Sequence, residues 1–154
     1  MKKSILFFLL FLVFMLPVTL TAQSNEVLDV FLEQDKADLG TTSWLILASA
    51  GKIDEEASVE DALNWIMKAD GLGKMEDLSP RRNITYGEFS YILMEVLEEK
   101  GGLMYRLVPG PRYAAREAAY NKWLLGRSAP GRSLKPFEVI NTIITVLETE
   151  GDQS

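Results

Sequence analysis

The chain has 154 residues, 47% apolar and 25% charged, and a formal charge of -6. That composition is globular, and the acidic balance argues against general nucleic-acid binding. The absence of both Cys and His excludes disulfides, thiolate metal sites, Cys nucleophiles and Ser-His-Asp machinery. Catalysis would have to run on carboxylates, Lys, Tyr or hydroxyls; Asp and Glu pairs are plentiful enough for a glycoside hydrolase, but one small helical domain gives little room for the cleft it needs. The chain reads as a non-enzyme without cofactor or metal.

The first element is a leader. Lys2 and Lys3 precede twelve unbroken apolar residues, Ile5 to Leu16, and Pro17 follows. A short basic region, an apolar core of this length and a small residue near position 22 predict a secretory signal peptide over 1–22. A spanning helix needs about 20 apolar residues. Cleavage is expected after Ala22 or after Ser24, with an uncleaved N-terminal anchor as the alternative. No Cys follows the apolar core, so a lipoprotein anchor is excluded. The expected location is outside the cytoplasm, in the periplasm or cell envelope of a bacterium.

Residues 23–150 then read as a single all-α domain of five or six helices. Ser24 or Asn25 is placed to cap a helix from Glu26 to about Asp38, with Val27, Val30 and Phe31 on one face. Gly40 reads as a break, and Thr41 or Thr42 as the cap of a buried piece, Trp44 to Ala48, for which a short strand is the competing reading. Ser58 caps a helix whose Val59, Ala62, Leu63, Ile66 and Met67 share a face. Thr85 and Glu88 form a T-x-x-E capping box before the stripe Phe89, Ile92, Leu93, Val96, Leu97. The residues around 103–108 alternate weakly and read as an extended connection or one short strand before Pro109-Gly110-Pro111. A helix from Pro111 to about Leu125 and a last one from Pro136, with Val139, Ile143, Val146 and Leu147 inward, complete the set.

Two stretches superpose at an offset of 50 residues without a gap. Ile84-Thr85-Tyr86-Gly87-Glu88-Phe89 through Glu98 lies on Leu134-Lys135-Pro136-Phe137-Glu138-Val139 through Glu148, with identities at Glu88/Glu138, Val96/Val146, Leu97/Leu147 and Glu98/Glu148. Each is preceded by a helix and a Gly-bearing turn, giving helix-loop-helix units at about 58–98 and 112–148; two unrelated amphipathic helices of similar length are the plainer alternative. The unit resembles the S-layer homology repeat of exported bacterial envelope proteins, whose second helix opens on a T-R-A-E-like motif. Thr85, Glu88 and Phe89 keep the Thr, the Glu and an aromatic, and Pro80 stands in the loop. The resemblance implies a helical envelope module that binds wall polysaccharide. The Arg that contributes to such binding is replaced here by Tyr86 and Pro136. Glu88, Thr85 and Glu138 are explained by capping alone.

Charge is unevenly spread. From Gly101 to Pro136 seven basic residues face one acid, Glu117, whereas from Gln23 to Lys100 seventeen acids face seven bases. Arg106, Arg112 and Arg116, interleaved with Tyr105 and Tyr113, are the candidate contact residues for a partner, because guanidinium groups pair with anions and stack on rings. Clamping of these arginines by acids of the same domain is the account the charge pattern favours, for Arg116 above all, with Arg106 and Arg112, flanking the Pro-Gly-Pro turn, the better candidates for contact with a partner. The expected function is an exported, non-catalytic module binding an anionic wall polymer or an envelope protein. A structural or assembly subunit of a periplasmic complex is the alternative.

Overall fold

The computed structural model describes residues 22–75, 77–124 and 129–151; the leader, apart from its last residue Ala22, lies outside them, as do Gly126 and Arg127. The described residues form seven α-helices, no strands, and one 3-10 turn. The helices are α1 (Ala22–Leu32), α2 (Leu39–Ser49), α3 (Val59–Lys68), α4 (Tyr86–Val96), α5 (Leu103–Leu107), α6 (Pro111–Tyr120) and α7 (Pro136–Gly151), with the 3-10 turn at Leu72–Lys74. The chain is all-α, as its patterning predicts.

The helix starts follow their caps. Ser58 and Asp61 form a reciprocal capping box on α3, and Thr85 and Glu88 do the same on α4, each satisfying backbone donors that a helix terminus leaves free. Replacing Thr85 by alanine should cost about 1 kcal/mol, read as a lower urea midpoint. At α2 the expectation fails. Asp38, not Thr41 or Thr42, is the cap, its carboxylate accepting from the Thr41 N–H at 2.7 Å. Gly40 does not break the helix but sits inside its first turn. A β-carbon there would lie 2.6 Å from Val59 Cγ1 and 3.0 Å from the Pro80 carbonyl oxygen, so the residue is small for packing. The first helix likewise ends at Leu32, six residues before Asp38. The segment 103–107 is helical rather than extended. Pro109-Gly110-Pro111 then turns the chain directly into α6, with Pro111 in the first helical turn, where its missing N–H costs nothing.

α4 is the centre of the protein. Tyr86, Gly87, Phe89 to Met94 and Val96 are all buried, leaving Glu88 and Glu95 as its partly exposed positions. It packs most extensively on α6, whose Ala114, Ala115 and Ala118 are small enough to bring the two backbones close. α2 packs on α3 and α4, and α7 lies against α2 and α1. Met67 and Val30, expected inward, are exposed.

Backbone hydrogen bonds join the three loops that precede α2, α4 and α7 into a closed cycle. Ala37 N–H donates to the Leu134 carbonyl at 2.8 Å, Leu134 N–H to Ile84 at 3.3 Å, and Ile84 N–H back to Ala37 at 2.9 Å. All three side chains are fully buried. Flanking bonds repeat around the cycle: Leu39 and Gly40 donate to the carbonyls of Arg82 and Pro80, and Tyr86 and Gly87 to those of Arg132 and Pro130. The first-turn N–H groups of α2 and α4 are thus satisfied by the neighbouring loop. The corresponding position of α7 is Pro136, which has no N–H to give.

Candidate functional site

The arginine-rich edge is built on the α5–α6 hairpin. Gly101, at φ +54, supplies the left-handed turn that leads into α5. Tyr105 is the one buried side chain of that helix. Its hydroxyl donates to Glu95 Oε1 at 2.5 Å, and its ring meets Tyr91 edge-on, with centroids 6.2 Å apart. Burial, reinforced by the Glu95 carboxylate, pushes the Tyr105 phenol far above its ordinary pKa. Of the five candidate contact residues, Tyr105 is therefore directed inward and fastens α5 to α4.

The others stay at the surface. Arg106, Arg112 and Arg116 are exposed and Tyr113 is half-buried. Arg112 and Arg116 stand one turn apart on α6, and the Arg116 guanidinium lies 5.5 Å from the Tyr113 ring centroid, an arrangement that orients the cation without neutralising it. None of the three arginines is ion-paired with a described residue. Among the described residues the clamp by acids of the same domain is not formed. Arg106 sits across Pro109-Gly110-Pro111 on α5, beside an outward apolar set: Leu103 and Leu107, 70% and 66% exposed, with Met104 and Val108 also exposed.

A second polar arrangement does contain clamped arginines. Arg82 grips Glu88 with both terminal nitrogens, at 3.0 and 2.8 Å, and its Nε donates to the Asp77 carbonyl at 2.7 Å. Arg132 places one nitrogen on both oxygens of Glu138, at 2.8 and 3.0 Å, and lies over the Tyr86 ring. Half-burial acts to raise the Glu88 pKa, but hydrogen bonds from Arg82 and Thr85 and the charge of Arg82 outweigh it, leaving the carboxyl below its ordinary value. Glu88 is thus both cap and ion-pair partner. Glu138 accepts the Lys135 N–H at 2.9 Å, half of a capping box, since Lys135 has no hydroxyl to return. Sequence reasoning missed Arg82. The signal was present, because Arg82 and Arg132 are separated by the same 50 residues as Glu88 and Glu138.

Among the described residues no group of three or more acidic side chains could hold a metal ion, and no helix is long and apolar enough to cross a membrane. Fold and site together define an all-helical protein with a backbone-bonded ring of three loops and an exposed basic hairpin. Comparison with protein-family models, curated proteins and solved structures finds no match to this chain.

Proposed function

We propose that the chain is an exported, non-catalytic module of the bacterial cell envelope that binds an anionic envelope component through Arg106, Arg112 and Arg116. The observation that carries this reading is the exposure of these three arginines without an acidic partner among the described residues, in a chain whose net charge is -6. Three cations left unneutralised on one hairpin repel one another mildly, and an anion removes that repulsion.

The resemblance to S-layer homology repeats gains support from the ring of loops. The helix-loop-helix units α3–α4 and α6–α7 are joined there by a third, α1–α2, which shares no capping letters with them but enters the ring at the equivalent place, Ala37. Export rests on the leader sequence. N-terminal sequencing of the protein from its native envelope tests it, with Gln23 or Asn25 expected as the first residue and an intact Met1-Lys2-Lys3 start contradicting it.

A second reading, a subunit of an envelope complex, is favoured by Phe137. Gly40 and Gly87 lie under the loops of Pro80 and Pro130, whereas Phe137, the matching residue of α7, is 68% exposed. Sedimentation with purified cell wall beside pull-down of solubilised envelope proteins separates the two. Salt-sensitive retention on the wall supports the first. Capture of one defined protein, lost in Phe137→Ser, supports the second.

A further inference from the structure

We propose that the α5–α6 hairpin seats on the surface of an anionic phospholipid bilayer, with Leu103, Met104, Leu107 and Val108 in the headgroup boundary and Arg106, Arg112 and Arg116 against lipid phosphates. This rests on the reading that the basic edge binds an anionic envelope component, and it names that component's class.

The apolar half of the edge makes the choice. A hydrated anionic polymer would satisfy the arginines but offers no apolar phase to four large side chains held in water on adjoining positions. A stable protein interface takes about 20–30 residues a side, more than this hairpin presents. A lipid surface needs only inserted apolar area plus attraction of cations to anionic headgroups. Insertion would be shallow, since a five-residue helix is about 7.5 Å long, far short of the roughly 30 Å hydrocarbon core. The hairpin is prepared for this. Tyr105, tied to Glu95, holds α5 from behind, and Pro109-Gly110-Pro111 fixes the turn. Charge sets the orientation, because the segment from Gln23 to Lys100, with seventeen acids against seven bases, would be repelled by the same surface.

Because the chain has no Cys, Leu107→Cys accepts a single environment-sensitive fluorophore, and Glu60→Cys, exposed on α3, serves as the control site within the full chain. Vesicles containing phosphatidylglycerol should shift the emission at position 107 to the blue. Vesicles of phosphatidylcholine alone should not, nor should position 60 respond, and Arg106→Glu with Arg112→Glu should abolish the shift. No shift at 107, an equal shift at 60, or an equal response to phosphatidylcholine overturns the proposal. A shift that grows with protein concentration without lipid overturns it in favour of self-association. Polyphosphate separates the two levels. If it raises the anisotropy at 107 while phosphatidylglycerol gives no blue shift, the lipid assignment fails and the anion-binding edge stands. If neither probe produces a response, both fail.

Discussion

Replacing Arg82 by alanine is expected to lower the stability of the folded chain by about 2–4 kcal/mol, placed between the range for a hydrogen bond to a charged group and that for breaking a fully buried ion pair. Arg82 and Glu88 side chains are each 20% exposed, so the pair is substantially but not wholly withdrawn from water. The variant leaves the Glu88 carboxylate with only Thr85 as donor and removes the tie to the Asp77 carbonyl that shapes the loop. Glu88→Gln, expected to be nearly harmless if capping were its sole role, should therefore also be costly, because an amide cannot accept Arg82 as an ion. The dependence on pH follows from the lowered Glu88 pKa. The stability it contributes is fully present above the unfolded carboxylate value, about 4.3, and is lost as pH falls through the lower folded value. Urea melts from pH 7 to pH 3 should show wild type losing stability over that window, and Glu88→Gln losing less of it.

The second large effect is expected at Gly87. A β-carbon on this residue would lie 2.9 Å from the Pro111 carbonyl oxygen and 3.1 Å from that of Pro130. The first is a backbone atom of the opening residue of α6 and the second of the loop leading into α7, and neither can rotate aside as a side chain would. Gly87→Ala should destabilise by about 1–3 kcal/mol, the range for overpacking, even though alanine is the better helix former by about 1 kcal/mol. Gly131→Ala is the control, since its β-carbon would meet nothing within 4 Å, and its urea midpoint should barely move. Equal midpoints for the two variants would contradict the close approach of the loops.

Much of the helical framework was legible because caps are local chemistry, whereas the helices end short of the glycines that read as their stops. Ser58, Thr85 with Glu88, and Pro136 each mark a helix start where the structure has one. What escaped depends on distant chain. Gly40 reads locally as a breaker, and only the nearness of Val59 and Pro80 explains a glycine inside a helix. The weak alternation of Leu103, Tyr105 and Leu107 imitates a strand, but one short helix puts Tyr105 inward and the two leucines outward. The ring through Ala37, Ile84 and Leu134 is made by backbone groups, which leave no signature in residue type. At the candidate site the exposure of Arg106, Arg112 and Arg116 was one of two readings of the charge pattern, and only the absence of an ion pair with a described acid separates them. Tyr105 and Tyr113 look alike in sequence. Glu95, the penultimate residue of α4, is what draws Tyr105 inside.

The most direct test of an anion-binding edge is the triple variant Arg106→Ala/Arg112→Ala/Arg116→Ala, measured beside wild type for sedimentation with purified cell envelope and for unfolding in urea. Wild type should sediment at 0.1 M salt and be released at 1 M, as the Debye length shrinks from about 10 Å to about 3 Å. The variant should stay in solution at both, with a urea midpoint close to wild type, because exposed charges contribute only about 0–1 kcal/mol each to folding. Sedimentation of the variant equal to that of wild type, or a collapse of its urea midpoint, would contradict the account and return these arginines to a structural role.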